Sequence, residues 1–177
     1  ANLAALWEFA FGAGRGARCL VCLTLGTGVG GGFILDGSLV RGASGAAGEA
    51  GHMVIDPRGP RCGCGARGCL EAHVGTAALL RMGRRALRLG AEPLGRLTRA
   101  AGGLLTPALL SRAARLGDAR ARRIWEEFGR RLGIGVANLA NLLNPDRVVL
   151  GGGVAGAWPF FYPSMSGTVR AQALEAA

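Results

Sequence analysis

The chain has 177 residues, half of them hydrophobic, with 32 glycines and a net charge of +10. That is enough apolar chain for one real core and therefore one domain; no run approaches the roughly 20 apolar residues of a membrane span, and no stretch reads as a signal peptide. All 21 cationic residues are arginines spread over helical faces such as Arg81–Arg88 and Arg120–Arg131, so the charge reads as a solvated arginine face, with a nucleic-acid groove as the alternative.

Ala1–Phe11 has helical spacing at Leu3, Leu6, Trp7 and Ala10, with Gly12 placed to end it. It opens without a capping side chain, as a segment continuing a longer chain would. Arg18–Leu25 is nearly continuous in β-formers and reads as a buried strand, with Cys19 and Cys22 as core thiols rather than a redox pair. A glycine run, Gly26–Gly32, follows, then a second strand at Phe33–Leu35. Asp36-Gly37 turns the chain as a hairpin into Ser38–Arg41. Glycines between two strands expose backbone N–H groups that can hold phosphate oxygens, or they simply form a hairpin without a ligand. The run is neither a Walker A loop, which needs a lysine, nor a dinucleotide fingerprint, which needs a helix after the strand.

The segment Gly48–Glu71 carries the densest chemistry. Cys62, Cys64 and Cys69 follow a Cys-x-Cys-x4-Cys spacing in a loop with glycines at 59, 63, 65 and 68, which are expected to supply its tight or left-handed turns. With His52 as fourth ligand they make a closed Cys3His site, for which zinc is the default metal; the other reading is a reduced, metal-free loop. Cysteines used this way point to a reducing compartment, hence the cytosol. Glu49 and Glu71 flank the cluster. Ionised carboxylates only accept hydrogen bonds, so the pair suits a polyhydroxylated ligand, the alternative being two solvated loop residues.

Further along, Cys69–Leu89 reads as helix, Gly90–Gly103 as a loop of Gly, Pro and Thr, and Pro107–Leu116 as a short helix opened by proline. Asp118 caps a long helix to about Leu143 whose apolar face includes Ile124, Phe128, Leu132, Val136, Leu139 and Leu143. Gly129, Gly133 and Gly135 inside it suggest close packing against a sheet or a nucleotide, because an interior glycine otherwise costs about 1 kcal/mol relative to alanine. Asn144-Pro145-Asp146 breaks that helix and starts a strand, Arg147–Leu150, that runs into Gly151–Gly153. Two strand-to-glycine junctions on one sheet can embrace the two ends of a nucleotide. The last segment, Trp158–Ala177, reads as a helix starting after Pro163.

The runs L-T-L-G-T-G-V-G-G-G, G-E-A-G-H, C-x-C-G-x-x-G-C-x-E and N-P-D-x-V-x-L-G-G-G-V together resemble the ROK family (repressor, open reading frame, kinase), most closely its bacterial glucokinases, over essentially Ala1–Arg170. The resemblance implies an α/β fold of the ribonuclease-H-like, actin-like ATPase type (the hexokinase superfamily), with a mixed sheet flanked by helices and a zinc-bound loop. Residues 1–177 would be the large, C-terminal lobe, with helix 1–12 as the inter-lobe junction. It implies a structural Zn2+ on His52, Cys62, Cys64 and Cys69, sugar-hydroxyl contacts from Glu49, His52 and Glu71, a phosphate loop at Gly26, Thr27, Gly28, Gly30 and Gly31, and an adenosine pocket that includes Gly151, Gly152 and Gly153. The implied reaction is ATP-dependent phosphorylation of a hexose, glucose foremost, at its 6-hydroxyl, with MgATP as co-substrate and a homodimer or homotetramer as the intact form. By the same resemblance, no catalytic residue is expected within this chain. The family's general-base aspartate would stand immediately before Ala1, so this stretch alone is expected to be inactive. The second reading, from another functional class, is the sugar-sensing domain of a ROK repressor, in which case nucleic acid becomes a partner of a region outside this stretch. A third reading, a basic zinc module that binds nucleic acid directly, fails on architecture, because the ligands sit in a catalytic-type fold with no separate recognition helix.

Overall fold

The computed structural model describes residues 1–174. Four strands form one mixed sheet in the order β3-β2-β1-β4, where β1 is Leu20–Leu25, β2 Val29–Leu35, β3 Ser38–Leu39 and β4 Arg147–Gly151. β1 pairs antiparallel with β2 and parallel with β4. The parallel pair requires a long crossover, and that crossover contains the metal loop and the helices α2 (Leu70–Val74), α3 (Thr76–Arg88), α4 (Glu92–Ala100), α5 (Pro107–Arg115) and α6 (Ala119–Leu143). The opening helix α1 (Asn2–Ala10) lies on β1 and β2, and α7 (Trp158–Gln172) packs along α6. Trp125, Phe128 and Phe161 form the aromatic centre of the core between those two helices, with Phe128 and Phe161 centroids 5.1 Å apart.

β2 begins four residues earlier than the sequence suggests, so Gly30, Gly31 and Gly32 are strand residues and not loop. The reason is lateral crowding. A Cβ at Gly32 would stand 2.7 Å from Ala5 of α1, while Gly31 turns to the opposite side, onto the Gly48 carbonyl. The glycines let a helix and the metal loop close on the two faces of one strand. The Asp36-Gly37 hairpin is as expected, both residues having positive φ (47° and 76°), but β3 stops at Leu39, short of Arg41.

Three helical assignments need correction. The single helix expected over Cys69–Leu89 is two, because Gly75 is extended (φ −70°, ψ 165°) and lets Thr76 reach the first glycine turn. The Gly90–Gly103 stretch is not a loop: α4 occupies most of it, with Pro93 tolerated in the first turn and Leu94 fully buried. Asp118 is shared between two helices, its Oδ1 capping Arg120 and Ala121 N–H of α6 and its Oδ2 accepting from Leu94 N–H of α4. α7 starts at Trp158 rather than after Pro163, which sits inside it. Pro159 occupies the first turn, and Trp158 stacks on Tyr162 (centroids 4.2 Å apart) just ahead of Pro163, which lacks an N–H. Residues 175–177 of that expected helix lie outside the described residues.

The interior glycines of α6 serve helix packing, not a sheet or a nucleotide. A Cβ at Gly129 would meet the Phe161 carbonyl of α7, one at Gly133 would come 2.7 Å from the Met165 carbonyl, and Gly135 faces Leu70 of α2. Of the two supposed core thiols, Cys22 is buried but Cys19 is half-buried, its Sγ directed at the Leu143 carbonyl 3.4 Å away. Asp146 does more than follow a helix-breaking proline. Its Oδ2 accepts the N–H of both Arg18 and Cys19 at 2.7 Å, which pins the start of β1 beside β4.

Candidate metal centre and ligand pocket

A 3-10 turn at Ala50–His52 enters the metal loop, and its exit is fixed where Leu70 N–H bonds to the Met53 carbonyl (2.9 Å). Between them the loop folds on itself through Ile55 N–H to Gly68 carbonyl (2.9 Å), Gly68 N–H to Pro60 carbonyl and Cys62 N–H to Ala66 carbonyl (2.8 Å each). Gly65 and Gly68 adopt positive φ (94° and 72°) as expected of loop glycines here. Gly59 does not; it is small because Gly68 Cα passes close by, and Gly63 has open space around it.

This folding brings His52, Cys62, Cys64 and Cys69 together, with their ligand atoms all within 4.8 Å of one another. His52 Nδ1 is 3.6 Å from Cys62 Sγ, and Cys64 and Cys69 sulfurs are 3.7 Å apart. A tetrahedral ion with metal–sulfur bonds near 2.3 Å and metal–nitrogen bonds near 2.0 Å would set those edges at about 3.5 and about 3.8 Å. The four residues therefore fit one tetrahedral cation, with no open position for substrate. Burial pushes the Cys69 thiol up to about 12, and its neighbours Cys64 and Cys62 add to the effect. The Ala66 backbone, through a hydrogen bond, holds Cys64 below its ordinary value. A bound cation would offset the charge of the thiolates that coordinate it.

Both acids touch the cluster from outside. Glu49 Oε2 lies 3.9 Å from His52 Nε2, the ring nitrogen that does not face the sulfurs. Glu71 Oε1 lies 3.8 Å from Cys62 Sγ, and its Oε2 accepts the N–H of Val29 at 3.0 Å. Glu71 thus spans from the metal loop to the first glycine turn. Gly28 leaves it room, since a Cβ there would overlap the Glu71 carboxylate.

The turn itself is Gly26-Thr27-Gly28. Thr76 anchors it, its Oγ1 donating to the Gly26 carbonyl at 2.8 Å and its N–H at 3.1 Å. Among the described residues no acceptor takes the N–H of Thr27 or Gly28. A cavity of about 380 Å³ opens over this turn and is lined by Thr24, Gly28, Gly30 and Glu71 on one side and Gly152 and Gly153 on the other. The two glycine junctions therefore share one space. Gly31 points away from it, and Gly151 is the last residue of β4, paired with Thr24. Gly152, with φ of 88°, packs directly on the Leu25 backbone.

Sequence reasoning missed two parts of the site. A second cavity, of about 550 Å³, meets the first at Gly153 and runs between Gly156 and the α5 residues Pro107, Ser111, Arg112 and Arg115. Nothing local in α5 marks it as a pocket wall. The other part is a brace behind the metal loop: Arg131 of α6 donates to Asp56 Oδ2 (3.2 Å) and to Glu127 Oε1 (2.8 Å). Beside it, His73 Nε2 is buried with no hydrogen-bond partner among the described residues; burial, with Arg131 nearby, lowers the imidazole's proton affinity. Asp56 and Arg131 are 75 positions apart, so no spacing rule could pair them.

The sequence profile of the ROK family matches residues 1–177. The chain belongs to the ROK family. It is 40% identical, over 158 residues and 89% of its length, to a glucokinase of Halalkalibacterium halodurans, covering 48% of that protein. It is 36% identical, over 96% of its length, to the DNA-binding transcriptional repressor Mlc of Escherichia coli, covering 40% of it. Among solved structures it superposes on a ROK glucokinase of Streptomyces griseus in complex with glucose and AMPPNP, with a TM-score of 0.88, 36% identity and coverage of 97% of this chain and 56% of that one. The chain thus spans about half the length of the curated relatives it matches. These matches establish the actin-like ATPase fold expected of the ROK sequence, with its mixed sheet and helical flanks. No helix among the described residues is long and apolar enough to cross a membrane.

Proposed function

We propose that this ROK chain is the large lobe of an ATP-dependent sugar kinase whose substrate is a hexose, glucose foremost, and that residues 1–177 act as one domain with helix 1–12 at the junction to the other lobe. The observation that carries this reading is Glu71, which bridges the metal cluster and a cavity walled by both glycine junctions. Zinc fits the Cys3His donor set, and its role is structural: it holds the loop so that Glu49, His52 and Glu71 face one ligand.

In this reading Glu49 and Glu71 accept hydrogen bonds from sugar hydroxyls, and His52 donates one through Nε2–H. With Cys62 deprotonated, Glu71 Oε1 has no thiol proton to accept and is open to the sugar. The N–H groups of Thr27 and Gly28, with Gly152 and Gly153 opposite, hold the donor's phosphates. Gly30 borders that space, and the cavity beyond Gly153 takes the nucleoside. Ala1 packs against Gly30 beside Thr24, so an aspartate bonded to Ala1 would emerge at the rim of the same cavity. It would take the proton of the 6-hydroxyl as that oxygen bonds to the γ-phosphorus of MgATP and the bond from that phosphorus to the departing ADP oxygen breaks. Such transfer rests on positioning and charge stabilisation, which is what the glycine turns and acids supply. A cytosolic location and a homo-oligomeric intact form belong to this reading.

The second reading, a sugar-sensing repressor domain, is favoured by the similarity to Mlc. The two separate in the full-length protein assayed for glucose- and ATP-dependent ADP release. Turnover that disappears on replacing the aspartate before Ala1 by asparagine supports the kinase. Absence of turnover together with sugar-dependent release from DNA would overturn it.

A further inference from the structure

We propose that the groove between α3 and α6 is a docking site for an acidic amphipathic helix of a partner protein. The groove, about 410 Å³ in volume, lies apart from the two cavities described above. Its floor is apolar, made by Met82 and Ile124, with Leu89 at one end and 57% exposed. Its rim is cationic: Arg85, Arg120 and Arg123 line it, and none of them has a carboxylate within 4.0 Å among the described residues. The one acid in the lining, Glu127, is already held by Arg130 and Arg131 at 2.8 Å each. The rim therefore presents unneutralised guanidinium forks around a greasy floor.

Shape and charge together select the occupant. A helix laid between two helices places its apolar residues on the floor and its flanks against the rim, a recurrent mode of peptide recognition in which a flexible methionine helps the floor adapt. Guanidinium groups pair best with carboxylates that meet them two-pronged, so the flanks are acidic. A nucleic acid would neutralise the arginines but leave Met82 and Leu89 uncovered. A flat lipid surface reaches the rim and not the floor. A second copy packed on this face would set arginine against arginine.

The test uses the full-length protein and a fluorescein-labelled synthetic helix of about 16 residues, with leucines at i, i+3, i+4 and i+7 and glutamates on both flanks. The expected result is saturable binding. Replacing Arg120 and Arg123 by Glu, replacing Leu89 by Ser, or exchanging the peptide's leucines for serines should each weaken it by about tenfold or more. Arg120→Ser with Arg123→Ser serves as the milder pair should the glutamates disturb α6, as circular dichroism would show. Absence of saturable binding overturns the proposal. Binding indifferent to Leu89→Ser and to the leucine-free peptide also does so, because that is charge attraction alone. Displacement of the peptide by single-stranded RNA or by vesicles of anionic lipid, through the same arginines, would assign the face to those ligands instead.

Discussion

Between Gly48 and Gly68 the buried hydrophobic side chains are Ala50 and Cys62, whereas α6 alone buries Ile124, Trp125, Phe128, Leu132, Val136 and Leu139. The first region has little to gain from the hydrophobic effect and is closed by backbone turns, the Arg131 brace and a site for one metal ion. The second is closed by side-chain packing. Truncating a buried Phe or Trp in such a layer typically costs 3–5 kcal/mol, and several act together, while a single structural zinc contributes on the order of 10 kcal/mol to a loop that cannot hold itself. The sheet and helices thus carry the apolar core, and the metal loop, with little apolar burial of its own, carries a donor set that fits one metal ion. On this division, order in the metal loop and folding of the helical core should be separable.

That separation is most severely tested by removing the metal. Cys64→Ser, at the exposed ligand, should lower bound zinc from about one per chain to near zero after dialysis and raise amide exchange across residues 52–69 by about a hundredfold or more, while helical circular dichroism stays within about a tenth of wild type. Zinc retained in that variant would remove Cys64 from the ligand set. Helices that melted along with the loop would dissolve the distinction between the two regions. The mirror experiment is Asp118→Ala. It deprives α6 of its cap and orphans the Leu94 N–H of α4, both in a buried setting. The expected loss is about 2–4 kcal/mol in urea unfolding, with zinc content unchanged.

The same contrast explains what could be read without coordinates. The metal loop was legible because thiolates, an imidazole and left-handed glycines are rare residue choices that one chemistry requires together. α6 was legible too, since its apolar residues recur every three or four positions behind an aspartate cap. Where glycine and proline act through packing, local rules misled. Gly30–Gly32 suggested a loop but form a strand squeezed between α1 and Gly48, and α4 was hidden by its flanking glycines and by Pro93. The Arg131–Asp56 brace and the α5 wall of the larger cavity depend on residues far apart in the chain, which composition and spacing do not connect.

In the proposed sugar site, Glu71 and Glu49 separate by degree. Glu71 is partly buried and fixed by Val29 N–H, so Glu71→Ala in the full-length protein should raise the KM for glucose by about 10–100-fold and that for ATP by less than about threefold. Glu49, with its side chain 67% exposed, should give less than about tenfold in the same assay. A larger effect on ATP than on glucose would move Glu71 out of the sugar site. Equal effects of the two acids would mean that the tie to the sheet adds nothing to binding.

Acid should take the two regions apart in order, and here the expected change is smallest. Protons compete with the metal for three thiolates and an imidazole, so zinc release on acidification reports the loop. The scaffold's acid-sensitive link is Asp146, whose carboxyl is held below its ordinary value of 3.8 by the Cys19 and Arg18 N–H groups. A carboxylate with a lowered folded-state pKa binds fewer protons in the native state than in the unfolded one. Its stabilisation is therefore fully present above about 4 and is lost as pH falls through the folded value. Asp146→Ala should accordingly lower the melting temperature at pH 7 by a few degrees at most, and the gap to wild type should narrow below pH of about 4, in zinc-free protein as well as in zinc-bound. A gap that closed in step with zinc release, at higher pH, would show that Asp146 and the metal loop unfold as one unit.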